Sequence, residues 1–163
     1  MHVTIDRRTP SVLGYLAALR IAMGLLFVSV WVENVRKGFY TAAGLQAFFT
    51  HVYPQAANPL RGYAAFIDGV ILPNREIFGH VQFASELGIG VFLLLGLFTP
   101  VVGVGAAVLL LNIFLATYGH EWPWTYIIPI VVMLCVAASR AGRFAGLDAL
   151  FARAEPRPRF PLW

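Results

Sequence analysis

Between Ile77 and Phe98 the chain carries a single charged residue, Glu86, in a run otherwise made of apolar, small and uncharged side chains. A run of this length meets the ~20 residues that a helix needs to cross a hydrocarbon core of ~30 Å. A carboxylate inside such a run is costly unless it is protonated, paired or turned towards water. The stretch therefore predicts a membrane-crossing helix, and it also predicts polar company for Glu86.

Three further apolar stretches extend the pattern, at about 12–31, 101–118 and 125–139, so that spans are expected at about 12–31, 77–98, 101–118 and 125–139. Hydrophobic residues make up 59% of the 163 and charged ones 12%, about half the charge of a soluble domain. With a mean hydropathy of +0.73, the expectation is one all-α domain, an integral membrane four-helix bundle. Between spans one and two, residues 39–77 are too polar to cross. Two pieces, about 41–52 and 59–72, look helical, and the second places apolar residues at 63, 66, 67, 70 and 71 on one face. An interfacial helical segment at about 41–73, lying over the bundle, is the expectation. Thr99-Pro100 reads as the turn between spans two and three, and Pro129 as a kink in the short fourth span.

Four spans put both termini on one side. That side would hold Arg7, Arg8 and five arginines of the tail 140–163, against Arg36, Lys37, Arg61 and Arg75 on the other. The excess predicts a multi-pass protein of a cell inner membrane with both termini cytoplasmic. The first residues lack a cleavable-signal pattern, so the first span is expected to stay as an anchor.

Cys135 is the one cysteine, and no CxxC or CxxCH occurs. An internal disulfide, a dithiol relay, a thiolate cluster and a covalently attached haem are excluded, so no covalently bound cofactor is expected. His51, His80 and His120 have no HExxH or paired-ligand spacing, and no metal site is predicted. The arginine-rich tail follows a span, which points to anionic membrane lipid and orientation, with no nucleic acid expected as a partner.

The residues left to carry chemistry are the polar ones at depth. At ~1.5 Å per residue, Arg20 lies about 12 Å above the cytoplasmic edge and Glu86 about 17 Å above it, an offset that an arginine side chain bridges. An Arg20–Glu86 ion pair is predicted, with Gln82 one turn away on the same face and Asn112 of span three at a similar depth. Three readings follow: a polar clasp that holds spans together; a proton-accepting or head-group-binding carboxylate in a small-molecule pocket; or no mutual dependence, with Arg20 snorkelling to the interface and Glu86 protonated. At the outer edge Glu33, Asn34 and Lys37 end span one, His80 opens span two, and His120, Glu121, Trp122 and Trp124 join spans three and four. Donors beside aromatics suit a quinone ring arriving from lipid, although aromatics at that level are also ordinary interfacial belt residues.

Four motifs, in order, resemble the DoxX/DoxD family of small membrane proteins. They are Leu19-Arg-Ile-Ala-Met-Gly-Leu-Leu-Phe27 followed by Asn34 and Lys37-Gly-Phe39; Val70-Ile-Leu-Pro-Asn-Arg-Glu-Ile-Phe-Gly79; Glu86-Leu-Gly-Ile-Gly-Val-Phe-Leu-Leu-Leu-Gly-Leu-Phe-Thr99; and Gly142-Arg-Phe-Ala-Gly-Leu-Asp148. Together they cover nearly the whole chain, and the long loop is closest to the DoxD-type branch. The resemblance implies a four-helix membrane bundle and the role of the DoxD-type subunit of thiosulfate:quinone oxidoreductase, which passes electrons to membrane quinone with other protein subunits. Arg20, Lys37, Glu86 and Asp148 match family motif positions. The expectation is a membrane subunit of a quinone-linked oxidoreductase. Glu86 and Arg20 would be catalytic, and Asn34, Lys37, His80, Gln82, Asn112, His120 and Trp122 would line the quinone site. The alternative is a non-catalytic accessory subunit of a larger respiratory or photosynthetic membrane complex.

Overall fold

The computed structural model describes residues 12–55 and 61–154. Expectations resting on Arg7, Arg8, Pro59, Arg157 and Arg159 lie outside the described residues. The protein is all-α, with helices α1 (Val12–Arg36), α2 (Ala42–Ala47), α3 (Arg61–Phe66), α4 (Arg75–Leu95), α5 (Thr99–Ala116), α6 (Trp124–Ala138) and α7 (Asp148–Ala154). Three of them, α1, α4 and α5, are long and apolar enough to cross a membrane, and α6 is a shorter apolar helix.

The long helices pack in antiparallel pairs, α1 on α4 and α5 on α6, with lesser contacts joining α1 to α6 and α4 to α5. Each presents a narrow inward stripe at helical spacing: Ala17, Arg20, Met23, Gly24 and Phe27 on α1, and Gly79, Glu86, Gly90 and Leu93 on α4. Small residues bring the backbones together. A side chain at Gly24 would run into Leu94, one at Gly90 into Val28, and one at Gly103 into Ala137 of α6. Outward-facing residues such as Leu25, Val104, Val108 and Ile128 stay exposed, as suits a helix whose outer face meets lipid tails.

The α4–α5 turn comes earlier than expected. Gly96, at φ +63°, ends α4 in the left-handed conformation, with its N–H reaching Leu93 and that of Leu97 reaching Phe92. Thr99 and Pro100 are already the first turn of α5, where a proline costs no hydrogen bond. Between α1 and α4 the connection is folded, not extended. Thr41 caps α2 by accepting from the Gly44 N–H at 3.0 Å, and wider π turns over Phe48–Val52 and Ile67–Ile71 extend α2 and α3. Leu45, Ile67 and Ile71 form a second small core with Phe39, Phe49, Tyr63 and Phe78. Residues 141–154 are also not a loose tail: the Leu147 and Asp148 N–H groups bond back to the carbonyls of Leu95 and Gly96.

Candidate functional site

Glu86 faces inward from the middle of α4 and is 2% exposed. Three protein donors converge on its two oxygens. Gln82 Nε2, one turn earlier on α4, donates to Oε1 at 2.6 Å, and Asn34 Nδ2, near the end of α1, donates to Oε2 at 3.0 Å. The third donor is the Tyr40 hydroxyl, also to Oε2. Tyr40 gets there because α4 has a glycine where the loop after α1 crosses it: a Cβ at Gly79 would collide with the Tyr40 carbonyl. Its ring is then held edge-on against Phe83 and Phe39, at 5.3 and 5.7 Å. Burial, with the bond to Glu86, pushes the Tyr40 phenol above its ordinary value, so it stays a donor at neutral pH.

Glu86 opens onto a cavity of about 660 Å³, within the usual range for small-molecule sites. Most of the wall is aliphatic and aromatic, with Phe27, Phe39, Phe48, Phe49 and Leu110 among the lining residues, while Asn34, Lys37, Gln82, Asn112 and Thr117 supply polar groups. Lys37 is paired with Glu33 one turn back at 2.6 Å, both exposed. On the side of the segment between α1 and α4, the Tyr63 hydroxyl donates to the carbonyl oxygen and Oδ1 of Asn112 at 3.0 and 3.2 Å, tying α3 to α5. The cavity reaches the outer surface at Leu26 and Val30 of α1, 45% and 41% exposed, and its wall continues along Thr125, Tyr126 and Pro129 of α6. Pro129 has no N–H to give the Thr125 carbonyl, so the α6 wall carries a backbone acceptor without its helical donor.

A second buried polar centre lies at the other end of α4. Arg20 is fully buried and donates to three backbone carbonyls, those of Ala141, Phe144 and Ala145, at 3.1, 3.4 and 2.9 Å. Asp148, also fully buried, lies near enough to act on it electrostatically, without a direct ion pair between them. Asp148 caps α5, accepting from the Phe98 and Thr99 N–H groups at 2.7 and 2.9 Å. Glycines at 96 and 146 leave the space that the guanidinium fills.

Over residues 15–156 the chain matches the family model described as TQO small subunit DoxD. The chain belongs to the DoxD family. With its three long apolar helices it is a membrane protein. No curated protein and no solved structure matches it.

In this DoxD chain the expected Arg20–Glu86 pair does not form. Gly24 lies against Leu94 and Arg20 against Gly96, ten residues along α4 from Glu86, or about 15 Å at helical rise. Arg20 belongs to the clasp with Asp148, while Glu86 meets Asn34 near the far end of α1. Asn34, Lys37, Gln82, Glu86 and Asn112 line one cavity. His80, His120 and Trp122 are exposed and do not line it. Trp122 stacks on Trp124 at 4.7 Å, and Glu121 reaches the cavity instead. Among the described residues no three His, Cys, Asp or Glu side chains come together in a way that could hold a metal. Sequence reasoning passed over Tyr40 and Tyr63. The signal for Tyr40 was Gly79, a glycine two helical turns before Glu86 on the same stripe, which marks a close backbone approach.

Proposed function

We propose that this chain is the small membrane subunit of a quinone-linked oxidoreductase of the thiosulfate:quinone type, and that the cavity beside Glu86 is its quinone site. In this reading α1, α4, α5 and α6 form a four-span bundle in a cell inner membrane. α6 is the short span, and the arginine excess keeps both termini cytoplasmic. The observation that carries the proposal is a buried carboxylate, held by three donors, at the polar end of a largely apolar cavity that reaches the lipid-facing surface.

The chemistry divides as follows. Quinone takes up two electrons and two protons to become hydroquinone. The two electrons come from the sulfur anion as it is oxidised, by way of a partner subunit, and the second proton comes from the aqueous phase. This chain binds the head group out of water and handles a proton. Glu86 is the proton-exchanging group, and Gln82, Asn34 and Tyr40 fix its orientation so that its geometry is set before the head group arrives. Asn112 offers a polar contact at the cavity wall, and Leu26 and Val30 border the route for an isoprenoid tail.

The test is thiosulfate-dependent quinone reduction by the purified complex. Glu86→Gln should lower kcat by about a hundredfold or more, the scale of a lost positioned proton carrier. An unchanged kcat in a complex that still assembles would refute the mechanism. The rival reading, a non-catalytic accessory subunit, expects that result together with loss of assembly when the chain is deleted.

A further inference from the structure

An ionised carboxyl group offers about four acceptor sites on its two oxygens. At Glu86 three protein donors are already in place: one on Oε1 from Gln82, and two on Oε2 from Asn34 and Tyr40. The remaining site is an acceptor, and Glu86 lines the cavity. In its ionised form, once its proton has gone to the head group, this carboxylate is completed only by a ligand that brings a hydrogen-bond donor. The two redox forms of a benzoquinone head group differ in this respect: the quinone carries only acceptor oxygens, whereas the hydroquinone carries two O–H donors.

Charge narrows the choice further. The cationic side chain on the cavity wall, Lys37, is engaged by Glu33 at 2.6 Å. Arg20, the cation that the sequence suggested for this site, is buried against the carbonyls of Ala141, Phe144 and Ala145 at the other end of the helix pair. Among the described residues, the acidic side chains on the wall are Glu86 and Glu121, and Lys37 is the cationic one. A dianionic sulfur compound entering here would leave water for a largely apolar chamber whose described wall carries two carboxyl groups, with its one cation, Lys37, out at the exposed rim beside Glu33, which is unfavourable.

We infer that the cavity selects the hydroquinone over the quinone, through an O–H donated to the Glu86 carboxylate, and that it admits no oxyanion. This rests on the quinone-site reading above and adds to it the redox form that the site prefers. The consequence is a division of labour: the anion is oxidised in a different chain or at a different surface, and this chain holds the lipid-soluble product. A donor given to a charged acceptor in a buried site corresponds to a preference of about tenfold or more. By linkage, a tenfold preference for the reduced form raises the two-electron potential of the bound couple by about 30 mV.

The experiment uses the purified full chain in lipid nanodiscs under anaerobic conditions. The dissociation constants of a decyl-tailed benzoquinone and of its hydroquinone are measured separately. The wild type should bind the hydroquinone about tenfold more tightly or better. In Glu86→Gln, whose amide can turn an N–H towards the ligand, that ratio should collapse towards one or invert. Millimolar thiosulfate should not displace the bound hydroquinone. A wild-type ratio of one, or a ratio that survives in Glu86→Gln, overturns the inference and leaves the quinone site standing. Displacement by thiosulfate overturns the exclusion of the anion. Binding of neither form overturns this inference and the quinone-site reading together. The wild-type ratio decides the matter even if the variant does not fold.

Discussion

Asp148→Ala tests the clasp that closes the end of the structure away from the cavity. The Asp148 carboxylate is fully buried, accepts the Phe98 and Thr99 N–H groups at 2.7 and 2.9 Å, and is the nearby negative charge acting on Arg20. Truncation removes a helix cap and leaves the Phe98 and Thr99 N–H groups without their acceptor, together about 2–4 kcal/mol, and it takes a nearby negative charge away from a buried guanidinium. The two effects overlap, and Arg20 keeps its three carbonyl acceptors, so the expected loss is about 4 kcal/mol in total. That is a large share of the ~5–15 kcal/mol that keeps a typical domain folded. At about 2–4 °C per kcal/mol for a chain of this size, the melting temperature in detergent should fall by on the order of 10 °C. The assay is thermal unfolding followed by circular dichroism at fixed detergent and lipid. Arg20→Met and the double variant complete a cycle. If the two residues act as a unit, the double variant loses less than the sum of the single losses by at least about 1 kcal/mol. A melting temperature within about 2 °C of wild type for Asp148→Ala, or strict additivity in the cycle, would refute the reasoning.

Three other outcomes follow from particular contacts. Gly79→Ala should destabilise the protein by about 1–3 kcal/mol, the scale of overpacking, because its Cβ meets the Tyr40 main chain; it should also reduce turnover by displacing Tyr40 from Glu86, and wild-type melting and turnover would count against this account of the loop. Tyr63→Phe removes the hydroxyl that ties α3 to Asn112, so amide hydrogen exchange over 61–71 should quicken by about fivefold, the equivalent of about 1 kcal/mol, with exchange elsewhere unchanged. Burial pushes the Tyr63 phenol up to about 12, and burial with Asp68 also raises Tyr53. Since these folded values lie above the unfolded ~10, the phenols contribute their full stabilisation below about pH 10 and lose it as pH rises from there towards 12. An ultraviolet titration of the folded protein should show late-ionising tyrosines, and a single ordinary transition would contradict their burial.

The all-α, membrane-embedded character was legible in the apolar runs, because a helix buried in lipid has no option but to be apolar around most of its circumference. That Glu86 needed polar company was legible from the cost of an isolated charge. Its neighbour Gln82 followed from helix geometry alone. Arg20 was misread because depth was counted from span edges set by hydropathy, as though Val12 were level with Phe98. The register is instead set by contact, with Gly24 against Leu94 and Gly90 against Val28. α1 also continues past Trp31 to Arg36, which carries Asn34 to the level of Glu86. Hydropathy has no resolution for such a shift, since the run is apolar in either register. Tyr40 and Tyr63 lie in the connecting segment, and their partners depend on how that segment folds back. This is a tertiary property that periodicity does not encode.

The central claim, that the chamber beside Glu86 holds the quinone head group, is tested most directly by photoaffinity labelling. The assembled complex in native-like lipid would be illuminated with an azido-substituted quinone, and the labelled peptides would be sequenced by mass spectrometry. Label is expected on residues that line the chamber, concentrated in peptides carrying Phe48 and Phe49 or Gln82 and Glu86, and abolished by excess unmodified hydroquinone. Label confined to the exposed Trp122–Trp124 face, or found only on a partner subunit, would contradict it.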